Sequence, residues 1–277
     1  MKLTLGFSPC PNDTFIFDAL VNGHLNTGDL EFEVVLEDVE TLNKMAKEGK
    51  LDITKLSFHA YAYVSDQYQI LQAGAALGKG CGPLLISADP IPLSKVDYCV
   101  VGIPGRLTTA NLLFSLAFPD AITKKELVFS AIEQELLDDR IDVGVIIHEN
   151  RFTYESKGLH KLLDLGTFWE EKYGVAVPLG GIMIRRSLGD AVQHRVNDLI
   201  RQSVSYAFSH PEVSAPYVAQ HAQEMDPAVM QQHISLYVNE HSLDLGEDGR
   251  NAIEHMYRET HAIGLTPAVL QPIFAGR

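Results

Sequence analysis

The chain has 277 residues, 46% of them hydrophobic and 21% charged, the balance of an ordinary water-soluble globular protein with length enough for a sizeable core. A formal charge of −14 argues against nucleic acid or an anionic membrane as partner, since both are held by basic patches. Cys10, Cys81 and Cys99 make no CxxC pair, no apolar run reaches the roughly 18 residues of a membrane span, and the N-terminus runs straight into a strand pattern; a cytoplasmic protein is expected.

Strand and helix patterns alternate through the first two thirds of the chain, which predicts an α/β fold. Strands are expected over 3–7, 30–37 and 51–56, and helices over 14–22, 39–48 and 58–65, with Pro11-Asn12-Asp13 opening the first helix and Asn12 or Asp13 as its cap. An extended segment covers 83–87. Ala88-Asp89-Pro90-Ile91-Pro92-Leu93 then breaks all periodicity and suits a crossing between two units. A second α/β set follows: strands over 98–103, 127–129 and 143–147, and helices over 109–117, 132–138 and 168–172. Residues 177–184 read as a strand and as the return crossing. From 190 onward the pattern is helical only, with helices over 191–209, 214–223, 227–239 and 247–263. The expected division is a larger α/β unit of residues 1–88 and 180–277 and a smaller one of 89–179. Two α/β lobes with two crossings and a helical C-terminal region resemble the type II periplasmic-binding-protein architecture, which holds its ligand in the cleft between lobes.

The strand over 143–147 ends in His148-Glu149-Asn150. In open α/β sheets, ligand-touching groups sit just past the carboxyl ends of strands, so His148 stands where a proton-transfer group is expected. The competing reading is a histidine that only caps the strand. Three helix starts follow strands in the same way: Ser8 to Thr14, Ser57 before Phe58, and Pro104-Gly105-Arg106-Leu107 leading to Thr108 and Thr109 in the first turn. Helix N-termini offer unpaired amides to carboxylates and hydroxyls, and together these three point to a shared polar site.

Other motifs carry less. Gly78-Lys79-Gly80-Cys81-Gly82-Pro83 precedes an extended segment and lacks the GK[ST] ending of a P-loop, so a cleft-side loop or tight turn is expected. No cofactor motif remains. Cys10 could be a nucleophile at a helix start, but a small buried side chain is the simpler reading. His221, His233, His241, His255 and His261 lack metal-ligand spacing and are expected on solvated helix faces; no metal is assigned. Trp169 is expected in the core. His59 is placed equally well facing the cleft or turned away from it.

Read in order, Ser8-Pro9-Cys10-Pro11-Asn12-Asp13-Thr14-Phe15, Leu36-Glu37-Asp38-Val39-Glu40-Thr41-Leu42-Asn43, Thr54-Lys55-Leu56-Ser57, Pro104-Gly105-Arg106 with Thr108-Thr109, and Ile146-Ile147-His148-Glu149 with Arg151-Phe152-Thr153-Tyr154 form a specific set. With Leu179-Gly180 near the return crossing, it closely resembles the 1,4-dihydroxy-6-naphthoate synthases of the futalosine route to menaquinone, over essentially the whole chain. The resemblance implies a cofactor-independent lyase acting on cyclic dehypoxanthine futalosine, a small molecule with an aryl carboxylate and a sugar-derived ring. It would release the dihydroxynaphthoate and a small triose fragment. It also implies His148 as proton acceptor and Lys55, Leu56, Ser57, Thr108 and Thr109 as substrate contacts. Ser8, Asn12, Asp13, Thr14, Gly82 and Glu149 are further candidates for lining the cleft. The rival readings are a chorismate dehydratase of the same pathway, which shares the architecture, and a non-catalytic solute-binding protein.

Overall fold

Leu3, Leu5 and Phe7 alternate along the first strand and are all buried, so one face of that strand seeds a core. The computed structural model describes residues 1–223 and 226–276. It divides into two compact units, Met1–Gly78 with Pro178–Arg277, and Lys79–Val177. In chain order the first unit begins with β1 (Lys2–Phe7), α1 (Pro11–Val21), β2 (Glu31–Leu36), α2 (Val39–Lys47), β3 (Ile53–Ser57), the single turn α3 (Phe58–Tyr61), β4 (Tyr68–Ile70) and β5 (Ala76–Gly78). The second unit holds β6 (Leu84–Ser87), β7 (Val101–Ile103), α4 (Thr109–Ala117), β8 (Lys124–Glu126), α5 (Ile132–Leu137), β9 (Val143–Ile146), α6 (Asn150–Thr153), β10 (His160–Asp164) and α7 (Leu165–Tyr173). The chain returns to the first unit through β11 (Val177–Arg185) and finishes with α8 (Asp190–Ser209), α9 (Pro211–His221), α10 (Pro227–Tyr237), α11 (Glu240–Leu243) and α12 (Gly246–Ala262).

In the first unit the strand order is β2-β1-β3-β11-β4, with β5 also paired to β11. β1 runs parallel to both β2 and β3, whereas β11 lies antiparallel to β3 and β4. Close approach of β11 to β3 depends on Gly180, where a Cβ would lie 2.7 Å from the Leu56 carbonyl oxygen. α1 is buried along ten consecutive residues because α8, α9 and α10 pack around it. That explains its weak amphipathic pattern: a helix covered on all sides needs no polar face. The core runs from Leu3, Leu5 and Phe7 through Ile16 and Phe17 to Ile182, Ile200 and Val204.

In the second unit the order is β10-β6-β9-β7-β8. β7 is parallel to β8 and β9, and β6 is antiparallel to β9 and β10. Its core gathers Leu84, Ile86, Ile132, Leu136, Ile141 and Ile146. Residues 83–87, expected in the larger unit, belong here instead: Leu84, Leu85 and Ile86 pair with β9, so the first crossing falls at Gly78–Lys79 and not at the proline-rich stretch. That stretch leads into a 3₁₀ helix, Leu93–Tyr98.

Several local expectations shift. The strand expected over 127–129 lies at Lys124–Glu126, an edge strand too polar to show periodicity, and Phe129–Ala131 is a 3₁₀ turn. β4, β5 and α11 are three or four residues long and leave no period in the sequence, and β10, His160–Asp164, has no alternating pattern. The helix expected over 58–65 keeps only one α turn. No helix among the described residues is long and apolar enough to cross a membrane.

Candidate functional site

In each unit the candidate residues leave the carboxyl edge of a parallel strand pair. In the first, Leu5 lies opposite Ile53 and Gly6 opposite Thr54, so the turn after Phe7 and the segment Lys55–Ser57 emerge side by side. In the second, Val101 faces Val143 and Gly102 faces Gly144, so the Pro104–Thr108 turn and His148 leave the same edge of β7 and β9. This is the edge at which open α/β sheets bind ligands.

The first unit's candidates converge on Asp13. Its Oδ1 lies 2.9 Å from Lys55 Nζ, and both side chains are almost fully buried. Asn12 Nδ2 donates to the same oxygen at 2.8 Å, while Ser8 donates to Oδ2 from its hydroxyl at 2.7 Å and its backbone N–H at 3.2 Å. Lys55 also donates to the Gly74 carbonyl at 3.2 Å. A buried carboxylate with three hydrogen-bond donors and a cation beside it satisfies the requirement that buried charge be paired and hydrogen-bonded. Here the expected cap is corrected: the N-cap of α1 is Cys10, Pro11 takes the first helical position, and Asn12 and Asp13 lie in the first turn, where the acidic side chain suits the helix dipole.

Ser57 belongs to a second group. Its N–H donates to Asn43 Oδ1 at 3.1 Å, and Asn43 Nδ2 donates to Ser57 Oγ at 3.3 Å and to Glu40 Oε2 at 3.2 Å. Thr14 turns back into its own helix, donating to the Cys10 carbonyl at 3.0 Å, and Leu56 has its side chain in the core. Those two are the candidates least suited to a polar contact through their side chains.

In the second unit Thr108 is the N-cap of α4 and not a first-turn residue: its hydroxyl accepts from Asn111 N–H at 3.2 Å and donates to the Gly105 carbonyl at 2.9 Å. Thr109 follows as the first helical residue and is buried. His148 stands two residues past β9 in the left-handed region, φ 58°. A histidine there is uncommon and costs on the order of 1 kcal/mol, so surrounding contacts must hold it. Its ring meets Phe129 edge-on, centroids 5.0 Å apart, and its carbonyl accepts from the Arg151 N–H at 3.3 Å. Glu149, buried, is the N-cap of α6.

Arg151 ties this turn to the glycine-rich loop. Its guanidinium donates to the Gly82 carbonyl, to the Gly80 carbonyl at 3.0 Å and to Asp164 Oδ2 at 2.6 Å. Asp164 in turn caps α7. Gly82 lies against Gly166 so closely that a Cβ on it would fall 2.2 Å from the Gly166 Cα, which requires glycine at that position of the loop. Cys81, in the same loop, is pushed up to about 12 by burial, then by Glu170, so it is a protonated thiol near neutrality. Lys124 is held below its ordinary value by burial, then by Arg106.

His233 and Asn43 are among the buried polar residues that the sequence reading missed. His233, expected on a solvated face, is fully buried, and its Nε2 lies 2.9 Å from Asn12 Oδ1. Its signal was the stripe Met230, His233, Ile234, Tyr237 at helical spacing, which marks an inward face. Asn43 lies beside Leu42 on the covered side of α2. Trp169 is in the core, its Nε1 donating to the Ala176 carbonyl at 3.2 Å, and His59 is buried against Tyr63. The three cysteines form no disulfide.

The chain is similar over nearly its whole length to proteins of known sequence and structure. A protein from Archaeoglobus fulgidus superposes with a TM-score of 0.90 at 36% identity, over 95% of this chain and 98% of that one. The alkanesulfonate-binding protein of Xanthomonas axonopodis, at 12% identity over 99% of this chain and 97% of its own, gives a TM-score of 0.74 and shows that the fold is of the periplasmic-binding-protein type. Two 1,4-dihydroxy-6-naphthoate synthases are each 45% identical over 272 residues: one from Thermus thermophilus covers 98% of both chains, and one from Streptomyces coelicolor covers 96% of this chain and 95% of its own. The family model described as menaquinone biosynthesis matches residues 3–262, and the chain belongs to that family, alongside the 1,4-dihydroxy-6-naphthoate synthases.

Proposed function

We propose that the chain is a lyase that converts cyclic dehypoxanthine futalosine to 1,4-dihydroxy-6-naphthoate, with His148 as general base and without a cofactor. The observation that carries the reading is the position of His148: past the carboxyl end of β9, in a left-handed turn, edge-on to Phe129. Releasing a sugar-derived fragment from a ring system begins with loss of a proton from a hydroxyl or an activated C–H, a task suited to neutral imidazole. Lys55, Ser57, Thr108 and Thr109 serve in this reading as contacts to the substrate's carboxylate and hydroxyls, and Leu56 through its backbone or its packing.

The test is incubation with cyclic dehypoxanthine futalosine, followed by the ultraviolet absorbance of a new naphthalene ring, with chorismate in a parallel sample. His148→Asn is the informative variant, because asparagine tolerates the left-handed backbone and removes the base. It is expected to fold and bind while losing about 10²- to 10⁴-fold in turnover. Near-parental single-turnover rates in that variant would remove His148 as base. Reaction with chorismate alone would favour a dehydratase, and binding without reaction a receptor.

A further inference from the structure

His233 is too deeply buried and too specifically bonded for a residue that only fills space. It lies on α10, which packs on α1, with its ring 4.8 Å from that of Tyr237 and no exposed surface. The direction of its bond to Asn12 follows from elementary donor counting. Asp13 as a carboxylate can only accept, so Asn12 must present Nδ2 to Asp13, which leaves Oδ1 toward His233. His233 Nε2 therefore carries a proton and donates it.

The result is a chain of buried polar groups from α10 to β3: His233 to Asn12, Asn12 to Asp13, Asp13 to Lys55. Asp13 has its acceptor sites filled by Ser8, Asn12 and Lys55. The Lys55 ammonium has three N–H groups, of which Asp13 Oδ1 and the Gly74 carbonyl accept two. Among the described residues no other acceptor meets the third.

We propose that His233 is a positioning residue for substrate binding: through Asn12 and Asp13 it fixes the direction in which Lys55 offers its third N–H to an oxygen of the substrate. The inference rests on the reading that Lys55 contacts the substrate. Loss of the His233 donor frees the Asn12 amide to turn, and Asp13 and Lys55 lose their shared orientation. The ammonium stays in place but binds less well.

Steady-state kinetics with cyclic dehypoxanthine futalosine test this. His233→Leu is expected to raise KM about tenfold while kcat stays within about twofold, the pattern of a lost binding contact. His233→Gln keeps an N–H donor in reach of Asn12 and is expected to recover most of that affinity. A parental KM in His233→Leu, or an equal rise in both variants, overturns the proposal. Should His233→Leu fail to fold, Asn12→Ala breaks the same link with His233 in place, and a parental KM there overturns it equally. Asp13→Asn combined with Lys55→Met leaves no unpaired buried charge and reports on Lys55 itself. An unchanged KM in that double variant removes Lys55 from the substrate contacts and the inference with it. A raised KM there, with none in His233→Leu, overturns the role of His233 alone.

Discussion

Lys55 Nζ lies 2.9 Å from Asp13 Oδ1, and the two side chains are only 7% and 2% exposed. Buried this deeply, neither charge has water to fall back on. The pair joins the first turn of α1 to the middle of β3. Asp13→Ala is expected to destabilise the protein by about 3–5 kcal/mol, because it strands the ammonium. Asp13→Asn with Lys55→Met should cost markedly less than the sum of its parts. Urea denaturation of the single and double variants measures the difference, and additive costs would show that the pair is not coupled.

Arg151 organises the other unit's turn. Its N–H bonds the His148 carbonyl, while its side chain reaches Gly80, Gly82 and Asp164. A lysine ammonium donates from a single nitrogen, whereas the Arg151 contacts are divided between Nη1 and Nη2, so Arg151→Lys is expected to lose about 2 kcal/mol of stability despite keeping the charge. Amide hydrogen exchange should rise in residues 79–82 and 147–151 together. Faster exchange in only one of the two segments would mean that the guanidinium does not couple them.

Cys81 sets a pH dependence whose sign can be worked out. Burial, with Glu170 beside it, raises the thiol from 9.0 to about 12, so between those values the unfolded chain has lost a proton that the folded one keeps. Its stabilising contribution is fully present below pH 9 and is lost as pH rises through 12. The slope reaches about 1.4 kcal/mol per pH unit. Tyr154, raised to about 12 by burial and then by its bond to Glu155, adds in the same direction. Cys81→Ala should flatten the fall of Tm with pH above 9 by about one proton's worth, whatever its effect at neutrality. An unchanged slope would show that the thiol ionises normally in the folded protein.

Sequence periodicity was sufficient for the α/β alternation, for α4 at Thr109–Ala117 and for β11, because each carries its own hydrophobic pattern and stop signals. It was also sufficient for the edge on which the candidates lie, since a strand followed by a helix start has only one carboxyl end. The motifs around Ser8, Lys55, Thr108 and His148 led to the family. What depended on tertiary structure was pairing. Leu84–Ser87 could join either sheet by its own pattern, and only its register with β9 assigns it to the second. Likewise, the apolar stripe around His233 marks an inward face of α10 but does not say which residue the histidine meets. Its role exists because α10 packs on α1 and brings an imidazole within 2.9 Å of Asn12, across 221 residues of chain. Local patterns set the elements, since their signals are carried by neighbouring residues. Burial and hydrogen-bond partners belong to the packed structure, since they arise from residues the chain brings together only on folding.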